Sequence, residues 1–183
     1  KLNIMSPLIP IYTVGLATRE IILLEFSSSI LCLILAGKVG SSITSEIGTM
    51  RVTEQIDALE IMGINSANFL VLPKVIAFVT FIPILVILSM FTSLLGGYLI
   101  TIATGIVSPE IYVYGIQTMF TEWYVWYALI KSLFFAFVIS SVSSYFGYHV
   151  TGGALQVGKA STNAVVTSSI LILLLDVILT NLM

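Results

Sequence analysis

The chain has 183 residues, of which 58% are hydrophobic and 9% are charged, and its formal net charge is −2. A soluble domain carries about 25% charged residues, so this chain cannot cover itself with a solvated surface and is predicted to be an integral membrane protein. The small net charge and the absence of a basic run exclude a nucleic-acid-binding protein. The single cysteine, Cys32, excludes an internal disulfide.

Four apolar segments are long enough to cross a bilayer, whose hydrocarbon core of about 30 Å needs about 20 helical residues. They are predicted at residues 14–37, 69–104, 123–148 and 164–183. Residues 1–13 contain Pro7 and Pro10 and predict a loop at a membrane face. Pro83 predicts a kink in the second span. The sequence thus predicts an all-α membrane protein with four transmembrane helices in a single domain.

The polar segments between the spans predict the orientation of the chain. Residues 38–68 and 149–163 lie on one side of the membrane, and a polar-aromatic connection at residues 105–122 lies on the other. The first side carries more Lys and Arg, namely Lys38, Arg51, Lys74 and Lys159, against Lys1 and Arg19 on the second. Because cytoplasmic loops are enriched in these residues, residues 38–68 and 149–163 are predicted to be cytoplasmic, with both chain ends outside.

Within residues 38–68, the pattern predicts an amphipathic helix. Its two faces consist of Glu46, Glu54, Asp57 and Ile61 on one side and of Val52, Ile56, Leu59 and Met62 on the other. Arg51 is predicted to pair with Glu54 or Gln55. Gly48 and Gly63 are predicted to be helix ends or bends. From the residues alone, a solvated loop helix and a surface that binds another protein remain equally open.

Three charged residues, Glu25, Lys131 and Asp176, lie inside predicted spans, whereas Arg19 and Glu20 are placed at the interface. A charge at mid-bilayer costs from about 2.5 kcal/mol upwards, so such residues usually face each other or a polar cavity. Two interpretations remain open: ion pairs that fix the register of the helices, or groups that line a substrate path. The sequence does not determine which residue pairs with which.

No motif predicts catalysis. The stretch GALQVGKA, ending at Ala160, nearly matches the phosphate-binding pattern G-x-x-x-x-G-K-[ST], but Ala160 lacks the hydroxyl and no strand precedes it. His149 has no second metal ligand at suitable spacing and is interpreted as an interfacial hydrogen-bonding residue. The serines at 27–29 and 140–144 have no His-Asp partners and are interpreted as sites of close helix packing. The chain is therefore predicted to be a non-catalytic protein without a metal site.

The stretch GKVGSSITSEIGTMRVTEQIDALEIMGIN resembles the signature of the MlaE family, the permease subunits of ABC-type lipid transporters. The similarity continues through LVLPKV, LIKSLFFAFVIS, GYHVTGGALQVGKAST and LDVILTNLM, and so covers essentially the whole chain. It implies a homodimer whose subunits have five spans and an N-terminal interfacial helix. We therefore expect that helix and the first span to be missing from this sequence.

The resemblance further implies that Glu46–Gly63 is a cytoplasmic coupling helix docked in a groove of an ABC ATPase subunit, which binds ATP and Mg²⁺ while this chain binds no cofactor. The residues expected to couple are Glu46, Gly48, Met50, Arg51, Thr53, Glu54, Gln55, Asp57, Leu59 and Glu60. Glu25, Lys131 and Asp176 are expected near the lipid cavity.

The expected function is transport of phospholipid between the bacterial inner membrane and a periplasmic MCE-domain protein. Two other functions remain open from the residues alone. The first is an ion-coupled secondary transporter or channel that uses Glu25, Lys131 and Asp176 as a relay. The second is an intramembrane enzyme, which the missing catalytic groups disfavour.

Overall fold

The computed structural model describes residues 10–182, so most of the predicted loop at residues 1–13, including Lys1 and Pro7, lies outside the described residues. Six helices follow one another: α1 Thr13–Val52, α2 Gln55–Ile61, α3 Ser66–Thr104, α4 Pro109–Gln117, α5 Trp123–Tyr148 and α6 Ala154–Leu182. Helices α1, α3, α5 and α6 are long and apolar enough to cross a membrane. The predicted all-α fold with four transmembrane helices is confirmed.

The contacts define the direction of the helices. Glu25 and Thr44 of α1 contact Lys131 and Ser143 of α5 in the same order, so these two helices run parallel. Helix α6 runs against α1, because its early residue Ser161 meets Ser45 and its late residue Asp176 meets Ser29. The bundle therefore has an α2 end, where α1 and α5 finish, and an α4 end, where they begin.

Small residues let α1 and α5 approach closely. A Cβ atom added to Gly147 would lie 2.9 Å from the Thr44 carbonyl oxygen, and one added to Gly40 would lie 2.8 Å from Ser143 Oγ. Between helices in a bilayer, van der Waals packing replaces the hydrophobic effect as the main attraction, and small residues improve it. The serine runs are buried at these contacts, with Ser27, Ser28, Ser140 and Ser143 fully enclosed, as close packing predicts.

The helix boundaries differ from those predicted. Helix α1 continues past Gly37 to Val52, with π-helical turns at Ile22–Ile30 and Ala36–Gly40, because polar residues at the end of a span do not interrupt backbone hydrogen bonding. For the same reason α6 begins at Ala154, inside the predicted polar loop. Helix α4 lies within the predicted connection between the second and third spans. Polarity marks where a helix leaves the bilayer rather than where it ends.

The predicted single helix at Glu46–Gly63 is two helices. The break lies at Glu54, whose φ of 60° is left-handed and ends the hydrogen-bonding pattern of α1. The prediction that Gly48 is a helix end or bend is wrong. Gly48 lies within α1 and packs against Val150 and Val157. Gly63 does follow the end of α2 with a φ of 78°, as predicted.

Candidate functional site

An ion cluster joins three helices. Lys131 Nζ of α5 lies 2.6 Å from Asp176 Oδ1 of α6 and 3.1 Å from Glu25 Oε1 of α1. Ser29 Oγ lies 3.0 Å from Glu25 Oε2 and 2.9 Å from Asp176 Oδ1, so its single proton can be donated to either carboxylate. The structure thus brings the three predicted charges together, and Lys131 pairs with both acids.

The three charges differ in access. The Lys131 side chain is fully buried, whereas Asp176 is 18% exposed and Glu25 is 43% exposed. Glu25 lines a cavity of about 200 Å³ whose other walls are Leu24, Trp123, Tyr124, Tyr127 and Thr180. One lysine faces two acidic residues, so acidic groups outnumber basic groups in the cluster. A molecule that enters the cavity therefore meets a carboxylate in an aromatic wall, with the ammonium group behind it.

The aromatic wall also holds the lysine. Lys131 Nζ lies 4.8 Å from the centroid of the Tyr127 ring, and the Tyr127 hydroxyl donates to Thr180 Oγ1 at 2.9 Å. A cation over an aromatic face is attracted by the ring quadrupole, more strongly when water is excluded. Nothing in the sequence pattern predicts that Tyr127 faces Lys131.

The cluster lies in the half of the bundle near the α4 end. Lys131 is eight residues from the start of α5 and Asp176 is six residues from the end of α6, which corresponds to about 9–12 Å at 1.5 Å per residue. Glu25 and Ser29 both lie in the π-helical turns at Ile22–Ile30. Such turns are rare in proteins as a whole but are enriched at functional sites. No feature of the sequence predicts the π-helical turns at Ile22–Ile30.

Arg19 closes the α4 end. Its side chain is 1% exposed and pairs with Glu20, and its Nη1 donates to the carbonyl oxygens of Ile116 and Thr118 at 2.8 and 2.7 Å. Basic groups at a helix C-terminus satisfy its free carbonyl oxygens and interact with its dipole. The predicted interfacial position of Arg19 does not describe its burial, because helix α4, which it caps, was read as a connection.

At the opposite end, α2 combines a buried anchor with an exposed tip. Ile56 is fully buried in a cluster with Ile43 and Ile47 of α1. Ile61 at the end of α2 is 88% exposed, and the next residue, Met62, is 65% exposed. Of the predicted apolar stripe, Ile56 holds α2 on the bundle whereas Met62 faces outwards, and Ile61 belongs to the predicted acidic face.

Polar contacts fix α2 on the bundle. Arg51 Nη1 lies 2.5 Å from Asp57 Oδ1, so the predicted pairing with Glu54 or Gln55 is wrong. The left-handed turn at Glu54 removes those two residues from the helical spacing on which that prediction rested. Glu46 of α1 pairs with Lys74 of α3 at 2.7 Å, which joins the two helices that precede and follow α2.

Glu60 connects α2 to two other helices. Its Oε1 atom accepts hydrogen bonds from Ser66 Oγ of α3 at 2.8 Å and from the Tyr148 hydroxyl of α5 at 2.9 Å. These two hydrogen bonds hold the pKa of Glu60 below its ordinary value of 4.5. The Arg51 guanidinium lies 5.9 Å from the centroid of the Tyr148 ring.

The predicted coupling residues differ in access to a partner. Glu46, Thr53, Glu54, Gln55 and Glu60 are exposed, Met50, Arg51, Asp57 and Leu59 are half-buried, and Gly48 is buried. Ile61 and Met62, the most exposed apolar residues of this region, were not among them. The amphipathic pattern places Ile61 on the acidic face and Met62 on the apolar stripe of one continuous helix, and periodicity does not predict the break at Glu54.

The near-match to a phosphate-binding motif is helical from Ala154 onwards, and Lys159 lies in the first turns of α6. It therefore lacks the loop whose backbone amides hold a phosphate. His149 Nδ1 lies 2.9 Å from the Tyr145 carbonyl oxygen, as an interfacial hydrogen bond predicts. Across residues 10–182, no group of three or more His, Cys, Asp or Glu residues is placed to hold a metal ion.

Comparison with known proteins gives one consistent result. Residues 3–182 match the family model described as Permease MlaE. The chain is 39% identical to a probable ABC transporter permease protein of Synechocystis sp., over 87% of this chain and 60% of that protein. It is 43% identical to a probable ABC transporter permease protein of Rickettsia bellii, over 82% of this chain and 58% of that protein.

A third similar protein is from a plant. The chain is 33% identical to the protein trigalactosyldiacylglycerol 1, chloroplastic, of Arabidopsis thaliana, over 86% of this chain and 45% of that protein. The matches cover less than two thirds of each of these relatives, so the chain spans roughly 60% or less of their length.

Proposed function

Because the chain belongs to the MlaE family of ABC transporter permeases, we propose that it is the membrane subunit of an ATP-driven phospholipid transporter. A separate ATPase subunit binds ATP and Mg²⁺, and α2 with its flanking turns is the coupling segment on which that subunit acts. The exposed apolar tip at Ile61 and Met62 is the observation that carries this proposal.

The tip has the properties of a docking surface. Burying one such side chain against a partner contributes about 1.5–3 kcal/mol. A short helix presenting apolar anchors to a groove is a recurrent mode of recognition. The exposed carboxylates of Glu54, before the start of α2, and of Glu60, next to the tip, favour a groove with a basic rim. The buried anchor at Ile56 lets force applied to the tip move α2 together with the bundle rather than bend it alone.

The cavity at the ion cluster is the proposed lipid site. Its apolar and aromatic walls suit acyl chains, whereas Glu25 offers a hydrogen-bond acceptor to a headgroup. The name of the Arabidopsis relative contains a galactolipid, which supports a lipid substrate. In the same proposal a second copy of the chain completes the cavity, a periplasmic MCE-domain protein exchanges phospholipid at the α4 end, and the complex works in the bacterial inner membrane.

The docking surface is tested with Ile61→Asp and Met62→Asp in the full-length protein, expressed together with its ATPase subunit. Leu182→Asp is the matched control, since Leu182 is 80% exposed but lies at the α4 end. We expect the ATPase to bind at least about tenfold more weakly to the α2 variants, because one buried apolar anchor is lost. Undiminished co-purification and ATP hydrolysis in both α2 variants would refute the docking role.

One measurement distinguishes the ATP-driven transporter from the ion-coupled secondary transporter or channel. Full-length protein in vesicles without the ATPase subunit, under an imposed proton or sodium gradient, moves labelled phospholipid only if that alternative holds. We expect no gradient-driven movement, and transport only when the ATPase subunit and ATP are present.

A further inference from the structure

Tyr148 is the point at which three segments of the α2 end meet. Its hydroxyl donates to Glu60 Oε1 of α2 at 2.9 Å and lies 2.8 Å from Ser66 Oγ at the start of α3. Its ring lies under the Arg51 guanidinium of α1 and packs against the apolar cluster that holds Ile56. A displacement of α2 therefore acts on the last turn of α5 through a hydrogen bond and through packing.

The same helix carries Lys131 of the ion cluster. Lys131 and Tyr148 are 17 residues apart in α5, which corresponds to about 25 Å at 1.5 Å per residue. Helix α5 is α-helical over its whole length, from Trp123 to Tyr148. It connects the coupling segment to the cluster as one rigid element.

Helix α1 offers a second connection of different stiffness. It links Arg51 to Glu25, but the π-helical turns at Ala36–Gly40 and Ile22–Ile30 interrupt its α-helical hydrogen bonding between these two residues. A stretch of altered helical register is a place where a helix can change length or direction at low cost. A force on the α2 end is therefore transmitted more directly by α5, while α1 can absorb part of it.

We infer that Tyr148 is a positioning residue that transmits movement of α2 along α5 to Lys131, so that the position of the coupling segment sets the geometry of the ion cluster. The inference rests on the proposed function. Coupling between distant sites needs an element that both sites act on, and α5 is that element. Docking of a partner on α2 excludes water from the half-exposed Tyr148–Glu60 contact and so strengthens it.

The test uses Tyr148→Phe and Glu60→Gln in the full-length protein with its ATPase subunit, in vesicles of phosphatidylethanolamine and phosphatidylglycerol. The measured quantity is labelled phospholipid transported per ATP hydrolysed. Tyr145→Phe is the matched control, because it removes a hydroxyl one turn earlier in α5 from a side chain that is 60% exposed. We expect transport per ATP to fall about 2-fold to 30-fold in both test variants and to be unchanged in the control.

The double variant tests whether Tyr148 and Glu60 act through the hydrogen bond that they share. Because the two residues share one hydrogen bond, the double variant should lose no more transport per ATP than either single variant. A wild-type-like ratio in Tyr148→Phe, or an equal loss of hydrolysis and transport together with a lower unfolding temperature, overturns the inference. Binding of the ATPase subunit to the wild-type protein is measured first. If the wild-type protein binds no ATPase subunit, the proposed function itself is wrong.

Discussion

Replacement of Lys131 by methionine tests whether the ion cluster is as the distances describe it. The substitution removes a fully buried ammonium that lies 2.6 Å from Asp176 and 3.1 Å from Glu25 and leaves two carboxylates facing each other. Breaking a buried ion pair on one side costs about 3–5 kcal/mol. Because Glu25 is 43% exposed and retains water, we expect a loss of about 3 kcal/mol, near the lower limit of that range.

The assay is thermal unfolding of the full-length protein in detergent, with lipid transport measured in vesicles on the same preparation. We expect a lower unfolding temperature and loss of transport for Lys131→Met. An unfolding temperature equal to that of the wild type would refute the paired geometry, since an uncompensated charge would then have cost nothing.

A neutral triple variant, Glu25→Gln, Lys131→Met and Asp176→Asn, then separates structure from function. Replacing a whole buried ionic group by neutral residues of similar size is often neutral for stability, so the unfolding temperature should recover. Transport should remain lost if the cluster contacts the lipid. If both the unfolding temperature and lipid transport recover, the ion cluster has only a structural role.

Two further predictions concern helix contacts. Arg19→Lys should lower the stability of the full-length protein by about 1.5–3 kcal/mol, measured by thermal unfolding. The two terminal nitrogens of the guanidinium donate to three carbonyl oxygens at the C-terminal end of α4 and to Glu20 Oε1, which is more than the three N–H groups of one ammonium can satisfy. Glu20→Gln is the control, and an equal loss there would contradict the capping role. Gly147→Ala should cost about 1–3 kcal/mol in the same assay, because its Cβ would lie 2.9 Å from the Thr44 carbonyl oxygen, whereas Gly37→Ala, with nothing within 4 Å, should be tolerated.

The number of membrane-spanning helices was predictable because spans are set by hydrophobic length, which the sequence shows directly. The three intramembrane charges were predictable as a group, because each is costly alone, but their pairing depends on how α1, α5 and α6 rotate about their axes. For the same reason, the sequence predicts only a packing role for Ser29. A serine in an apolar run indicates packing equally well, and only the observed distances show that it serves two carboxylates.

The polar helical segment between the first two spans was predictable in place but not in shape. Periodicity treats Glu46–Gly63 as one helix, because a single left-handed residue at Glu54 leaves no mark in a pattern of polar and apolar residues. Beyond that residue, Asp57 pairs with Arg51, and Met62, which was expected on the buried apolar stripe, is 65% exposed. The turn that periodicity misses therefore lies in the segment that carries the proposed docking surface.

Packing among α1, α5 and α6 differs between the two ends of the bundle. At the α2 end, Gly40, Gly48 and Gly147 bring backbones and side chains of these helices so close that a methyl group would clash or crowd. Towards the α4 end, the same helices are held by the ion cluster beside a cavity of about 200 Å³. Tightly packed interfaces move as units rather than deform. A force applied at α2 should therefore move the close-packed end as one body and change geometry where the helices are held by charges beside a cavity, which is where the proposed lipid site lies.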